Sequence, residues 1–511
     1  MVRIGGRPRW PVAVTVLALL TTVVVGCAGP SEPDGPFAWH PCGADDGVDV
    51  SGLDSFESNR LRCGRLAVPL DPADPALGTV TLAIARLSAS VRRTGTLVVD
   101  PGGPGVSAAA HVVRTAPRLL SQSISATTDI VGIDWRGVGA SRPSVRCRTD
   151  GERDAERAMD LGDRTPAGIV RIENYYRHLA TQCRDRVGAA LLGRVGTDFV
   201  ADDLDQVRIA LGEDTIDFLG HSYGTRVGIT YARRHPQHVR SLVLDGVVDP
   251  DEDPMTATIE QYGAFQHALD AFSVDCAGYP ACPLGDRPGS ATARYRSLVD
   301  PLVARPVPVG ARVLDAVDAK TGTLSALYGQ DRWPRLRSAL TQVTGGSGEA
   351  LLALADDMEG RATNGRYTGQ MDSYRAVRCA DDIRITDRRR HDDLDTRVRQ
   401  VAPFTDDGRG TGHGPIGVCE FWPQAQRAQP PTRIATPMPP TPMPPTLMVS
   451  TLGDPATPHA TALRLADALG VGLLSVRGVN HTAVFHGDDC VDDAVNTFLT
   501  HPTRATDRLT C

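Results

Sequence analysis

Gly220-His221-Ser222-Tyr223-Gly224 is the stretch whose residue types and spacing could do chemistry. It follows the apolar run Thr215–Leu219 and precedes Thr225–Ala232, a sequence suited to a helix. A serine in a Gly-x-Ser-x-Gly turn between strand and helix projects Oγ from a sheet edge. The flanking glycines keep Cβ atoms out of a place where two backbones nearly touch. A serine hydroxyl is a poor nucleophile at neutral pH, so it needs a base in contact and an acid that orients the base. Two later loops offer them: Asp454 beyond the run Thr446–Ser450, and His481 beyond Gly472–Val476. His481 is then the general base and acid, and Asp454 the residue that orients it. His486 is a rival base, but His481 directly follows the turn Gly478-Val479-Asn480. Asp467 falls within a helical pattern and competes poorly with Asp454.

Acyl chemistry also needs N–H donors for the oxyanion. The N–H of Tyr223, just after the nucleophile, is one. Gly102-Gly103-Pro104-Gly105 follows the apolar strand Thr96–Asp100 and offers the other, with Gly103 the best placed. That turn lacks the lysine and spacing of a phosphate-binding loop. Thr457 reads as a helix N-cap, with Pro458 at the first helical position and Gly470 past the end.

The elements that must position these groups alternate. Apolar strands are expected at Thr96–Asp100, Asp129–Asp134, Thr215–Leu219, Ser241–Asp245, Thr446–Ser450 and Gly472–Val476. Helices are expected from Ser107 to about Thr115, stopping before Pro117, from Ala201 to Leu211, and from Cys490 to Leu499. This is the pattern of an α/β chain with a mostly parallel sheet covered on both faces. The rhythm changes after Asp249. Residues 250–428 carry helical patterns and read as a helical cap inserted into a core formed by 37–249 and 446–511. The proline-dense stretch 429–445 is a stiff linker.

Composition narrows the class. The 511 residues carry a net charge of −7, so no basic field draws the chain to nucleic acid. Lys320 is the single lysine among 54 basic residues and lies in polar, turn-like sequence, which disfavours Schiff-base chemistry. Arg3, Arg7 and Arg9 precede Val12–Val25, an uncharged apolar run shorter than the ~20 residues of a bilayer span. The run ends at Gly26-Cys27, in the pattern of a lipoprotein signal. Residues 1–27 are therefore expected to be a leader with lipidation at Cys27, and 28–36 a tether, giving a membrane-anchored, extracytoplasmic protein. Of eleven cysteines, removing Cys27 leaves an even number in an exported chain. Neighbouring cysteines suggest Cys42–Cys63, Cys147–Cys183, Cys276–Cys282, Cys379–Cys419 and Cys490–Cys511, although spacing alone leaves connectivity open. None of these pairs has Cys-x-x-Cys spacing, so zinc is not expected. No metal or cofactor is implied.

Five stretches together resemble the proline iminopeptidase and tripeptidyl aminopeptidase family. They are Gly102–Gly105, Asp134-Trp135-Arg136-Gly137-Val138-Gly139-Ala140-Ser141, Gly220–Gly224, Asp454-Pro455-Ala456-Thr457-Pro458 and His481-Thr482. Cys419-Glu420-Phe421-Trp422-Pro423 and Cys490…Cys511 resemble its C-terminal region, so the likeness spans 37–511. It implies an α/β-hydrolase fold with a large helical lid, and a serine peptidase acting on a peptide or protein substrate near a free N-terminus. A carboxylesterase using the same triad is the alternative, and a non-catalytic surface scaffold the bland one. Pro101 departs from the histidine usual before Gly-Gly-Pro-Gly, but leaves the Gly103 N–H available. The family's acidic grip on a substrate amine makes Asp381 and Asp382 candidates, against a reading of both as solvated surface carboxylates.

Overall fold

The computed structural model describes residues 1–2, 5–6, 37–423, 442–503 and 507–511. The chain divides into Met1–Gly35 and Pro36–Cys511. Most of the expected leader, Cys27, the tether and most of the proline-rich linker lie outside the described residues. Among the described residues no helix is long and apolar enough to cross a membrane.

The strands in chain order are β1 (His40–Pro41), β2 (Leu61–Pro69), β3 (Thr79–Leu87), β4 (Gly95–Asp100), β5 (Thr128–Asp134), β6 (Ile216–His221), β7 (Val239–Asp245), β8 (Val307–Val309), β9 (Arg312–Leu314), β10 (Thr446–Thr451), β11 (Gly472–Val476) and β12 (Arg508–Thr510). Ten form one sheet, in the order β1-β2-β3-β5-β4-β6-β7-β10-β11-β12. The ladder from β1 to β5 is antiparallel, and from β5 through β4 to β12 it is parallel. The carboxyl ends of β4, β6, β7, β10 and β11 therefore share one edge, where ligands bind in such sheets.

The central strands are apolar at successive positions because both faces are covered. Val98, Phe218, Leu242, Met448 and Leu473 face one core with helices Thr197–Ala210, Tyr223–Arg234 and His459–Leu469. Leu97, Val99, Leu219, Val243, Val449 and Leu474 face the other, with Ala108–Ser121 and Asp489–Thr500. The first helix of that second layer runs through Pro117 instead of stopping before it. Val112, Val113, Ala116 and Leu119 are buried on one side of it. Burying them at about 1.5–3 kcal/mol per large side chain outweighs the ~3 kcal/mol of an internal proline. Helix Thr197–Ala210 starts a turn earlier than its apolar stripe suggested.

Between β7 and Pro423 the chain is largely helical and has its own apolar core, including Phe265, Leu269, Phe272, Leu336, Leu340 and Leu351, with the short hairpin β8–β9. An earlier helix, Asp150–Arg157, is tied to this region through Arg157 with Asp318 and Asp356, and Asp154 with Arg361. Disulfides join Cys42 to Cys63, Cys147 to Cys183, Cys276 to Cys282, Cys379 to Cys419, and Cys490 to Cys511.

Candidate active site

Ser222 sits between β6 and helix Tyr223–Arg234 with φ 55° and ψ −124°. That is a left-handed backbone at a non-glycine residue, held by its surroundings. Its N–H donates to the carbonyl of Asp245 at 2.8 Å. A Cβ on Gly220 would meet the Gly224 carbonyl oxygen at 2.4 Å, and one on Gly224 the Asp100 carbonyl oxygen at 2.6 Å. Both glycines are therefore demanded by the close approach of strand, helix and the end of β4.

The second and third groups meet each other. His481 Nδ1 lies 3.0 Å from each carboxylate oxygen of Asp454. A carboxylate only accepts, so Nδ1 carries the proton and Nε2 is left as the basic nitrogen. Asp454 is fixed in turn: Oδ1 accepts the N–H groups of Ala456 and Thr457 at 2.8 Å, and Oδ2 the Thr457 hydroxyl at 2.9 Å. Burial works against a charged His481, but the Asp454 carboxylate outweighs it and holds the imidazole above its ordinary value. Tyr328, from the helical region, accepts the His481 N–H on its carbonyl at 2.7 Å and packs its ring edge-on against the imidazole at 5.4 Å.

Gly246 links the two halves. It follows the Asp245 that holds the Ser222 N–H, and a Cβ there would lie 3.3 Å from His481 Cε1. Thr457 and Tyr328 both touch His481, and both line the cleft that contains Ser222.

Gly103 lines that same cleft. The turn before it abuts the elbow: a Cβ on Gly102 would meet the His221 carbonyl oxygen at 2.4 Å and the Tyr223 nitrogen at 2.8 Å. Asp100 braces this turn, with Oδ1 accepting the Gly102 N–H and Oδ2 the Trp135 indole N–H, each at 2.8 Å. The Tyr223 N–H belongs to the first turn of its helix, where no intrahelical acceptor exists. The arrangement has the parts for nucleophilic acyl transfer: a strained serine, an imidazole with an oriented proton, and backbone donors at a helix start.

Thr457 is not the helix N-cap expected of it. Pro458 takes that position before His459–Leu469, and the Thr457 hydroxyl turns to Asp454 and lies 3.3 Å from His481 Nδ1. Asp382 lines the cleft with Ser222, and the carboxylates of Asp381 and Asp382 are both held by neighbours. Asp381 Oδ1 accepts the Thr197 N–H at 2.8 Å, while Oδ2 accepts the hydroxyls of Thr197 and Tyr223. Asp382 is bound by Arg226 at 3.3 Å and Arg378 at 2.6 Å. They are not solvated surface groups, because their side chains are 8% and 13% exposed. Sequence spacing does not reveal which neighbours claim a carboxylate.

Two other acids in the cleft carried no sequence signal of their own. Glu252 and Glu260 line it together with Asp249. Arg464 is the cation they share, at 3.1 and 2.9 Å, and it is half exposed. Burial and the neighbouring Glu260 raise the Glu252 carboxyl above its ordinary range.

The rival base His486 stacks on His221 at 5.9 Å, and burial first, then His221, push it down to about 4. Asp467 is exposed and paired with Arg508. Lys320 Nζ donates to the Thr405 carbonyl at 2.8 Å, outside the cleft lining. Elsewhere Asp205, His235 and His238 gather within 4.8 Å, but His238 is bound to Asp205 at 2.7 Å and His235 to Asp202 at 3.2 Å.

The chain is similar to known proteins along most of its length. It is 39% identical over 504 residues to Serine protease Hip1 of Mycobacterium tuberculosis, covering 94% of each chain. To Carboxylesterase B of the same organism it is 43% identical over 460 residues, covering 90% of this chain and 88% of that one. To Tripeptidyl aminopeptidase of Streptomyces coelicolor it is 30% identical over 471 residues, covering 90% and 83%. The model of the alpha/beta hydrolase fold family matches residues 95–487, and with these relatives it makes the chain an enzyme of the α/β-hydrolase family.

Proposed function

We propose that this enzyme is an exported, lipid-anchored serine peptidase that releases short peptides from free N-termini. Ser222 attacks the scissile carbonyl, His481 takes its proton and returns it to the leaving amine, and Asp454 holds the imidazole tautomer. The N–H groups of Tyr223 and Gly103 receive the oxyanion. Water then repeats the sequence on the acyl-enzyme. The helical region closes over the cleft as a lid and supplies Tyr328 behind the base.

The observation that carries the amine end of this reading is the pair Glu252 and Glu260. They line the Ser222 cleft and share one half-exposed arginine, with Asp249 beside them. An ammonium group placed there adds a second cation to the one arginine that two carboxylates share, and a neutral acyl chain does not. The names of two relatives, a serine protease and a tripeptidyl aminopeptidase, support the same reading. The name of a third, Carboxylesterase B, favours ester substrates.

The test compares a tripeptide anilide, its N-acetylated form and a butyrate ester. Cleavage of the free-amine anilide alone supports the aminopeptidase. Equal cleavage of the acetylated form removes it, and turnover of the ester alone leaves the carboxylesterase. Glu260→Gln should lower kcat/KM on the free-amine substrate by about 10- to 100-fold, the scale of a hydrogen bond to a charged group, and spare the ester. Palmitate labelling of Cys27 tests the anchor, and absence of label removes it.

A further inference from the structure

Behind the elbow lies a second carboxylate–imidazole pair that the triad does not use. Asp245 ends β7 and is 0% exposed. Its Oδ2 accepts the N–H groups of Ala483 and Val484 at 2.8 Å each, and the Nδ1–H of His221 at 3.0 Å. Its carbonyl accepts the Ser222 N–H at 2.8 Å. One residue therefore grips the nucleophile's own amide, the residue before it, and the segment just after His481.

The loop it grips is strained. Thr482 and Phe485 have φ of 67° and 59°, a backbone that non-glycine residues hold only when their surroundings fix it. The two Asp245 bonds fall between them. The other imidazoles nearby take no part in this grip. His486 stacks on His221 at 5.9 Å and His111 lies 6.2 Å from it, and neither is bonded to Asp245.

We propose that Asp245 and His221 are a positioning pair, in which the carboxylate ties the nucleophile elbow to the loop that presents His481 and so fixes how the two reacting side chains meet. This rests on the reading of Ser222 as nucleophile and His481 as base. Asp245→Asn keeps the shape but not the charge. Asp245 Oδ1 has no partner among the described residues, so an amide NH2 there is stranded. Turned the other way, the NH2 confronts the N–H groups of Ala483 and Val484. Misplacement of about 1 Å at a reacting group lowers turnover on the order of 10²-fold.

The experiment measures kcat and KM per active site on the full-length enzyme, counting sites by stoichiometric labelling with a fluorophosphonate. Asp245→Asn should label fully but slowly, with kcat down about 10- to 100-fold and KM within about threefold, because Glu252 and Glu260 are untouched. His221→Phe, which keeps a ring against His486 but has no donor for Asp245, should lower kcat about tenfold and decides alone if Asp245→Asn does not fold. Unchanged kcat per labelled site in these variants, even with a lower melting temperature, overturns the positioning role. A parent enzyme that the probe does not label at Ser222 overturns the nucleophile reading and this inference with it.

Discussion

Asp454→Asn tests whether the imidazole proton is held where a base needs it. Two donors dictate how an amide must sit. The N–H groups of Ala456 and Thr457 both point at Oδ1, so the amide oxygen takes that place and the NH2 takes the place of Oδ2. There it faces Thr457 Oγ1, whose hydroxyl can turn to accept, and His481 Nδ1. Where Nδ1 accepts from that NH2 instead of donating to the amide oxygen, which lies at the same 3.0 Å, the ring proton moves to Nε2 and the nitrogen meant for the Ser222 proton is already occupied. An inverted tautomer of this kind lowers turnover about 10⁴-fold, or roughly 5.5 kcal/mol in the barrier. The pH profile gives a second reading. The base works neutral, so activity rises with pH through the His481 value, which burial lowers but Asp454 raises above the ordinary one. Without the Asp454 charge the acid limb moves to lower pH, by less than a full loss because Asp245 also acts on the ring. The assay is kcat/KM on one peptide anilide from pH 4 to 9. A variant within tenfold of the parent, or an acid limb that stays in place, would refute the assignment of Asp454.

Thr457→Val removes the hydroxyl from Asp454 Oδ2 at nearly constant volume. A hydrogen bond to a charged group is worth about 1.5–3 kcal/mol, so kcat should fall roughly 10- to 100-fold, with Thr457→Ser recovering most of it. Gly102→Ala should abolish activity and lower the melting temperature, because its Cβ would meet backbone at 2.4 and 2.8 Å at a φ of 79°; a stable, active variant contradicts the packing of that turn on the elbow. Arg136→Met strands Asp203, which Arg136 binds with two nitrogens at 2.7 and 2.6 Å, and also frees the carbonyls of Leu70 and Arg194. Urea unfolding should show a loss of about 3–5 kcal/mol.

What was legible in the sequence depended on how locally each feature is encoded. The strands were readable because a sheet buried on both faces needs apolar residues at successive positions, as in Leu97, Val98 and Val99. The elbow was readable because its steric demand falls on residues four apart, Gly220 and Gly224. Asp454 and His481 could be placed because each follows a readable strand, and parallel strands deliver their following loops to one edge. Pro117 misled because a local breaker met a larger tertiary burial. Thr457 misled because its hydroxyl had two local uses, and only the packed loop chooses Asp454 over the helix end.

The acids in the cleft show where local encoding ends. Asp381 and Asp382 followed a cysteine in a stretch that resembled a substrate grip, yet their partners Thr197, Tyr223, Arg226 and Arg378 come mostly from distant sequence. Glu252 precedes and Glu260 lies within helix Pro254–Ala277, and no motif marks either. They become a recessed pair only because helix Pro254–Ala277 lies against His459–Leu469, which brings Arg464 and Thr461 to them. The reacting groups sit on motifs with steric rules of their own, so they can be read one strand at a time. The groups that would choose the substrate acquire their charge balance from how the inserted helices settle on the sheet, and no single stretch of residues encodes that.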